Sequence, residues 1–391
     1  MLGGIYYQPT KFYFGRGMES QVGEEVRKHS PRVLLHYGQK SITRNGLHGK
    51  VIRSLDGAGV EVFELGGVEP NPRRDLVYAG IQKCRDEKID FILAVGGGSV
   101  IDSSKAISAG VPYEGDFYDL FEQRAKVEKA LKVGVILTLP GSGSESSPGA
   151  VISDPERKRK RVCDSPLLLP VFSILNPECT VTVPPFSTAC GIVDAISHIF
   201  ERYFSNTPFV DCSDRICEGL LQTLMKYAPL VMDEPEDYDI RAEIMWACKL
   251  AQDTTPGFGR KQDWACHKIA HEISGFYDAA HGAVMGAVYF AWLQWVYPRN
   301  MAKLSQLGER VFGAGNGYGP SESALMAIRR FKEFLIALKM PTSLRELGIQ
   351  DRSAFSELAS NAVEFQQSGT VGNYVRLSPQ DICELLTSAL G

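Results

Sequence analysis

The first 180 residues alternate between short apolar runs and longer segments that favour helix. The apolar runs predict strands at residues 12–14, 33–37, 60–63, 91–95 and 133–137. The intervening segments predict helices at 18–29, 41–56 and 73–87. Strands separated by helices are typical of βαβ units, in which helices cover both faces of a parallel sheet. We therefore predict an α/β domain with a mostly parallel, Rossmann-like sheet.

The pattern changes at Pro184-Pro185, beyond which alternating runs almost disappear. Apolar residues there recur at i, i+3 and i+4, which predicts helices at 187–205, 211–228, 237–252, 262–275, 282–297, 321–338 and 379–389. The chain is thus expected to form two domains, residues 1–185 and residues 186–391, of which the second is all-helical. No low-complexity linker separates them, so we expect them to pack closely around a shared cleft.

Composition narrows the range of partners. The 391 residues are 44% hydrophobic and 23% charged, and the net charge of −4 offers no basic field for nucleic acid or an anionic membrane. No apolar run approaches the ~20 residues that span a bilayer, and the N-terminus lacks the pattern of a signal peptide. The nine cysteines are scattered without a CxxC pair, which favours reduced thiols and a cytoplasmic protein.

A glycine turn follows the buried strand predicted at 91–95. It consists of Gly96, Gly97 and Gly98. Ser99 then begins a helical pattern, and Asp102 follows three residues later. A helix that starts directly after a glycine turn presents bare backbone N–H groups at the positive end of its dipole, which suits phosphate. An ordinary strand-to-helix turn is the alternative, but Ser99 at the expected cap favours a binding site.

Two further loops are predicted at the same edge of the sheet, where ligands of open parallel sheets bind. Gly38 follows the second strand, and residues 138–145 form a loop rich in serine and glycine after the strand at 133–137. An acid after the second strand would bind the ribose 2′-OH of NAD. The chain has Lys40 and Ser41 there instead, and both could bind a 2′-phosphate. The predicted cofactor is a dinucleotide, with NADP favoured over NAD.

The helical half carries a set of metal-binding side chains. Asp194 and His198 are four residues apart, so they share one helix face, and His267 and His271 repeat that spacing before His281. A helix hydrogen bond or a core histidine would explain either pair alone. One carboxylate and three imidazoles suit Zn²⁺ or Fe²⁺ and leave a coordination position for substrate.

We assign Asp194, His198, His267 and His281 as the ligands. His271 lies one helical turn beyond His267 and is better placed to orient a ligand or to relay a proton. Spacing alone does not settle which histidine is the extra one.

Three motifs occur together in this chain: Gly96-Gly97-Gly98-Ser99-x-x-Asp102-x-x-Lys105, Asp194-x-x-x-His198, and His267-x-x-x-His271 followed by His281-Gly282. Over essentially the whole chain they resemble the iron-containing (group III) alcohol dehydrogenases. The most similar branch contains the butanol dehydrogenases and the NADPH-dependent aldehyde reductases. The segments that match this branch are Pro9-Thr10-Lys11, Glu69-Pro70-Asn71-Pro72, Thr138-Leu139-Pro140, Gly143-Ser144-Glu145 and Gln262-Asp263-Trp264-Ala265.

This resemblance implies a dehydroquinate synthase-like two-domain architecture with the metal held by Asp194, His198, His267 and His281. It implies that Gly97, Gly98 and Ser99 bind the pyrophosphate and that Asp102 acts near the nicotinamide amide. The remaining cofactor contacts that it implies are Thr138, Leu139, Ser142, Ser144 and Lys160. NADPH-dependent members have a Gly-Gly-Gly-Ser turn where this chain has Gln39-Lys40.

The expected reaction is reversible hydride transfer between a primary alcohol and its aldehyde. A metal would polarise the substrate oxygen, and His271 or the ribose hydroxyls would exchange the proton. Relatives commonly form homodimers through an N-terminal strand, here near residues 11–14. One alternative is a metal-dependent lyase of the dehydroquinate synthase kind with bound NAD. A lyase of that kind would favour a cationic pocket, whereas this half of the chain has aromatic residues such as Trp264. The other alternative is a nucleotide-binding protein without catalysis.

Overall fold

The computed structural model describes residues 1–315 and 317–391. Its strands are β1 (Lys11–Phe14), β2 (Arg32–Gly38), β3 (Glu61–Val68), β4 (Phe91–Gly97), β5 (Lys132–Leu139), β6 (Gly149–Asp154), β7 (Arg159–Asp164) and β8 (Phe172–Leu175). Its helices up to residue 203 are α1 (Val22–Arg27), α2 (Ser41–Arg44), α3 (Leu47–Gly57), α4 (Arg74–Asp86), α5 (Gly98–Gly110), α6 (Tyr118–Phe121) and α7 (Pro185–Tyr203). The later helices are α8 (Asp211–Asp233), α9 (Tyr238–Gln252), α10 (Ala265–Tyr277), α11 (His281–Val296), α12 (Ala302–Arg310), α13 (Pro320–Ala337), α14 (Phe355–Val363) and α15 (Pro379–Ala389).

The chain divides into two compact units. The first, which we call the sheet unit, contains Gln8–Pro184 and Pro235–Met245. The second, which we call the helical unit, contains Met1–Tyr7, Pro185–Glu234 and Trp246–Gly391. Each unit carries one of the two groups of predicted site residues.

The sheet unit is built on a parallel six-stranded sheet with the order β1-β8-β5-β4-β2-β3. Strand β4 lies between β2 and β5, and Gly97 at its carboxyl end pairs with Leu139 at the carboxyl end of β5. Gly38 ends β2 on the other side. The three predicted cofactor loops therefore leave neighbouring strands at one edge of the sheet, and the predicted α/β fold is confirmed.

Helices on both faces of the sheet explain why its central strands are continuously apolar. In β4, Ile92 and Ala94 belong to one hydrophobic core, which also contains residues of α4 and α5. Phe91, Leu93 and Val95 belong to a second core with residues of α1 and α3. Successive side chains of a strand point to opposite faces, so both sets must be apolar to be buried.

The α-helices predicted beyond residue 186 are present, and they lie in the helical unit except for the first half of α9, which belongs to the sheet unit. Within the described part of the chain the regular structure of the helical unit is helical, as expected. Two helices of nine residues, α12 and α14, were not predicted. No helix among the described residues is both long enough and apolar enough to span a membrane.

Three details of the sheet unit differ from the prediction. The helix predicted at 41–56 is interrupted by Gly46, whose φ of 80° places it in the left-handed region. The strand β8 was not predicted. An antiparallel hairpin of β6 and β7 was also missed, and its turn contains part of the basic run Arg157–Arg161. That run lies in a folded ribbon, and Asp154 at the end of β6 pairs with Arg74 of α4.

Candidate metal centre and dinucleotide site

Helix α7 supplies the first two predicted metal ligands. Asp194 and His198 lie one turn apart on it, and both are buried. His267 comes from the first turn of α10, and His281 is the first residue of α11. The four predicted ligands thus come from three helices.

Backbone contact brings α11 against α7. A Cβ at Gly282 would lie 2.1 Å from the carbonyl oxygen of Cys190, which is nearer than any side-chain carbon can approach. Cys190 lies one turn before Asp194 on α7. The glycine after His281 therefore allows the start of α11 to touch the α7 backbone and places His281 beside Asp194.

The ligand atoms converge on Asp194 Oδ1. It lies 3.6 Å from His281 Nε2, 3.7 Å from His267 Nε2 and 4.0 Å from His198 Nε2. One ligand atom each of Asp194, His267 and His281 falls within a group whose members are all within 4.8 Å of one another, and this group does not include the fourth predicted ligand, His198. These separations are too long for hydrogen bonds. They are near the ~3.4 Å that separates two ligands of a tetrahedral ion with bonds of ~2.1 Å.

Two of these atoms are buried without a hydrogen bond among the described residues, namely Asp194 Oδ1 and His267 Nε2. Orphaned buried polar atoms are rare in folded proteins. A carboxylate oxygen and an imidazole nitrogen that share one small space suit a divalent ion. The donor set therefore fits a metal ion.

The electrostatics of the cluster agree with that fit. Burial raises the pKa of Asp194, but the charges of His198 and the contacts of His267 and His281 outweigh burial and hold this pKa well below its usual range. Burial lowers the pKa of His267, but Asp194 and Glu201 outweigh it and raise this pKa. Asp194 is thus ionised at neutral pH, as a metal ligand must be.

His271 lies beside the ligand cluster. Its ring centroid is 5.0 Å from that of His281 and 6.3 Å from that of His267, and its side chain is partly buried. Its ring nitrogens do not belong to the group of ligand atoms around Asp194 in the described structure. Its role as a proton relay stays a prediction.

Two residues near His267 were not singled out as site residues from the sequence. Glu201, on α7, accepts the Nδ1–H of His267 at 2.8 Å. The indole of Trp264 packs against His267 and His198, with ring centroids 5.1 Å and 6.1 Å apart. The helical spacing that paired Asp194 with His198 also places Glu201 on the same face of α7, and it could have identified this residue.

In the sheet unit, the glycine turn joins β4 to the 13-residue helix α5. Gly97 is the N-cap, and no side chain caps the helix from that position. The expectation that Ser99 caps α5 is wrong, because Ser99 is already its second residue. A Cβ at Gly98 would lie 2.3 Å from Ser142 Oγ, and one at Gly97 would lie 3.0 Å from Leu139 Cβ. The loop after β5 is therefore packed directly on the turn.

Asp102 and Lys105, both on α5, hold that loop against the helix through hydrogen bonds. Asp102 accepts the Ser144 hydroxyl at 2.6 Å and the N–H of Val151 at 3.2 Å. Burial raises the pKa of Asp102, and Lys105 opposes this rise. The fully buried Lys105 donates to the carbonyl oxygens of Ser144, Ser147 and Gly149 at 2.6, 2.7 and 2.9 Å. Burial lowers its pKa to about 8.

The other predicted cofactor residues have different surroundings. A Cβ at Gly38 would lie 3.9 Å from Val100, so the end of β2 is close to the first turn of α5. Lys40 and Ser41 are exposed at the start of α2. The ammonium of Lys160 is buried and donates to Asn71 Oδ1 at 2.9 Å. Thr138 lies at the end of β5, next to Leu139.

Comparisons with known proteins agree over the whole chain. The family model for iron-containing alcohol dehydrogenase matches residues 9–177, and the model for the C-terminal part of the Fe-containing alcohol dehydrogenase family matches residues 188–390. A probable NADH-dependent butanol dehydrogenase of Bacillus subtilis is 40% identical over 389 residues, which is 98% of this chain and 99% of the relative. The NADPH-dependent aldehyde reductase YqhD of Escherichia coli is 36% identical over 350 residues, which is 89% of each chain.

A similar solved structure is that of NADH-dependent butanol dehydrogenase A from Thermotoga maritima. It superposes with a TM-score of 0.96 at 36% sequence identity and covers 100% of this chain and 99% of its own. The crystal structure of YqhD from Escherichia coli gives a TM-score of 0.94 at 33% identity, with 99% of each chain covered.

Proposed function

The chain belongs to the iron-containing alcohol dehydrogenase family, and from that premise we propose the substrates, the cofactor preference and the residues of its reaction. It is a metal-dependent oxidoreductase that interconverts alcohols and aldehydes with NAD(P)(H). We propose short primary alcohols and their aldehydes as the substrates, since the relatives that match almost the whole chain are named butanol dehydrogenases. The lyase and the non-catalytic alternatives are not favoured.

The observation that carries this proposal is the convergence of Asp194 Oδ1 with Nε2 of His267 and of His281. With His198, these residues would hold one divalent ion, Fe²⁺ or Zn²⁺. The ion would supply Lewis-acid polarisation of the substrate oxygen, and the nicotinamide would supply or accept the hydride. The carboxylate and the imidazoles position that ion, and His271 would move a proton at its ring nitrogen.

We assign dinucleotide binding to residues 1–185 and metal and substrate binding to residues 186–391. The first N–H groups of α5 would bind the pyrophosphate, because Gly97 and Gly98 carry no Cβ and the helix dipole favours an anion there. The side chains proposed to complete the dinucleotide site are Ser99, Thr138, Leu139, Ser142, Ser144 and Lys160. Asp102 would act through Ser144, whose hydroxyl it accepts.

One set of experiments tests the function. Purified protein loaded with Fe²⁺ or Zn²⁺ should consume NADH or NADPH with butanal, with short aldehydes and, in reverse, with butanol and diols. His267→Ala should lose bound metal and turnover and keep dinucleotide binding. His271→Asn should keep its metal and lose turnover, since it removes a group that can relay protons. A metal-free His267→Ala protein with full activity would refute the proposal.

We propose NADP as the preferred dinucleotide, although the similar relatives carry names with either cofactor. The supporting observation is that exposed Lys40 and Ser41 follow β2, where a carboxylate would repel a 2′-phosphate. Lys40→Ala should raise KM for NADPH by about 10-fold, because one charge-assisted contact contributes about 1.5 kcal/mol, and should leave KM for NADH unchanged. Equal effects on both cofactors would contradict this preference.

Two further properties belong to this proposal. We propose a homodimer, because β1 is an edge strand of the sheet and offers one side to a partner strand. Light scattering from the eluting protein would give its mass directly. We propose a cytoplasmic location, because all nine cysteines are free thiols in the structure.

A further inference from the structure

Glu201 holds His267 through two separate donors. Its carboxylate is buried, with no exposed surface, and lies on α7. Oε1 accepts the Nδ1–H of the His267 ring at 2.8 Å and the backbone N–H of the same residue at 2.9 Å. Oε2 accepts the backbone N–H of Trp264 at 2.5 Å. These three N–H donors share one carboxylate with the hydroxyl of Tyr289, which is a well-satisfied state for a buried charge.

The two backbone contacts fix the start of α10. Trp264 is the N-cap of this helix, with a left-handed φ of 65°, and its own side chain forms no capping hydrogen bond. His267 is the third helical residue. In a capping box, side chains within one segment satisfy the N–H groups of the N-cap and of the third residue. Here a single carboxylate from another helix satisfies both, so Glu201 holds the N-cap and the third residue of α10 in place.

The ring contact selects one tautomer of His267. A carboxylate can only accept, so Nδ1 must carry the proton. The neutral ring then has its lone pair on Nε2, which lies 3.7 Å from Asp194 Oδ1. A metal ion needs that lone pair, and a hydrogen-bonded carboxylate also makes the imidazole a stronger donor. The same residue therefore sets the position, the orientation and the protonation of this ligand.

We propose that Glu201 is a positioning residue that sets the affinity of the centre for its divalent ion. This inference rests on the proposed metal site and goes beyond it, because Glu201 is not itself a ligand. It assigns to Glu201 a role that differs from general support of the fold. Loss of such a partner typically weakens metal binding 10- to 100-fold.

The test uses Zn²⁺ alone and the metal-free full-length protein. Glu201→Gln should bind Zn²⁺ about 10- to 100-fold more weakly than the native protein in competition with a chromogenic chelator. The matched control is Asp253→Asn. Asp253 is also a buried carboxylate of the helical unit, and it accepts the backbone N–H of Thr255 and the ammonium of Lys249, both at 2.7 Å, rather than an imidazole. Asp253→Asn should keep the native Zn²⁺ affinity.

A second measurement reports on the ring directly. Long-range ¹H–¹⁵N NMR of histidine-labelled, metal-free protein at alkaline pH, where the His267 ring is neutral, should show this ring protonated at Nδ1 in the native chain. It should show a changed tautomer in Glu201→Leu, which has no side-chain oxygen to accept that proton. If Glu201→Gln does not fold, Glu201→Asp keeps the charge and withdraws the oxygens, and it should weaken Zn²⁺ binding likewise.

The outcomes distinguish failure of the proposed metal site from failure of the role proposed for Glu201. Native protein that binds no Zn²⁺ and no Fe²⁺ would overturn the proposed function. Native protein that binds Zn²⁺, with unchanged affinity and unchanged tautomer in the Glu201 variant that folds, would overturn the positioning role and leave the proposed function standing. An equal loss of affinity in Glu201→Gln and in Asp253→Asn would reduce Glu201 to general support of the fold.

Discussion

The proposed site in the sheet unit is made of backbone atoms, whereas the one in the helical unit is made of side-chain atoms. At the glycine turn the atoms that we propose to bind the ligand are backbone N–H groups, and Gly97 and Gly98 contribute by having no Cβ atoms. At the metal centre the working atoms are side-chain oxygen and nitrogen atoms around Asp194. The first site is made within one strand, turn and helix. The second exists only when three helices meet.

Their supports are also of opposite charge. Lys105 is a buried cation that gathers the carbonyl oxygens of the loop packed on the turn. Glu201 is a buried anion that gathers the N–H groups at the start of α10. The first N–H groups of a helix have no partner within the helix, so an anion can accept them. The loop after β5 instead directs backbone carbonyl oxygens toward Lys105, so a cation can donate to them. Each site is therefore held by the charge that suits the backbone end it must fix.

Asp194→Ala should show the largest effect, because it removes the only carboxylate of the ligand group. We expect loss of bound metal and a fall in turnover of more than about 10³-fold, since Lewis-acid stabilisation is worth several kcal/mol. Metal analysis and steady-state assays measure this. Dinucleotide binding, followed by quenching of protein fluorescence, should be unchanged. A parallel loss of dinucleotide binding would show that the two sites are not separable.

Lys105→Met should have the next largest effect, and this effect is on stability and on dinucleotide affinity. The substitution keeps an unbranched apolar stem of similar size but leaves three backbone carbonyls and the carboxylate of Asp102 without the charge of Lys105. Breaking a buried charged cluster in this way costs about 3–5 kcal/mol. The urea midpoint should fall accordingly, and the Kd for dinucleotide should rise while metal content is kept. A stable variant with native cofactor affinity would show that the loop keeps its conformation without Lys105.

His36 should make the sheet unit sensitive to acid. It is fully buried, donates Nδ1–H to the carbonyl of Leu65 at 2.7 Å and accepts the hydroxyl of Ser103, on α5, at 2.8 Å. Burial lowers its pKa from 6.5 to about 4. Between these pH values the folded chain binds fewer protons than the unfolded chain, so the free energy of unfolding falls as the pH falls.

His36→Asn removes this response because asparagine does not titrate. The native chain should lose about 3 kcal/mol relative to His36→Asn between pH 6.5 and pH 4. Urea melts of both proteins across that range measure the difference. Parallel pH profiles would mean that His36 already accommodates a charge when folded.

Gly98→Ala should have the smallest of these effects and should be confined to the dinucleotide. The added Cβ would lie 2.3 Å from Ser142 Oγ, so the loop must move away from the turn. Overpacking of this kind costs about 1–3 kcal/mol, which corresponds to roughly 10- to 100-fold in the Kd for NADPH. Gly49→Ala in α3 is the matched control, since its Cβ would meet only the mobile end of Arg53 at 3.4 Å. Reduced metal content in Gly98→Ala would contradict the separation of the sites.

The sequence predicts the two sites to different depths. The glycine turn is local, so its strand, turn and helix follow from a few residues, although the cap is Gly97 rather than Ser99. The pairing of Asp194 with His198 also follows from helix spacing. What spacing cannot predict is that α10 and α11 meet α7, because that depends on the contact of Gly282 with Cys190 and on the reach of Glu201.

Sequence patterns missed other features for the same reason, namely that these features depend on contacts between residues far apart in the chain. The β6–β7 hairpin contains the basic run Arg157–Arg161, which alone is typical of a solvated segment. In the structure the hairpin contacts α4, a helix distant in sequence, through the ion pairs of Asp154 and Glu156 with Arg74. Likewise Lys105, a charged residue in a buried helix, is explained only by the carbonyls of a loop that the sequence places far away.

The contact between Gly282 and the Cys190 carbonyl also affects how closely the distance between two of the proposed metal ligands is fixed. No side chain separates α7 from the start of α11 at this point, so the span between Asp194 and His281 is set by the thickness of two backbones. Backbone thickness does not vary with the residues elsewhere in the core. Mutations that repack the surrounding helices should therefore leave the span between Asp194 and His281 unchanged.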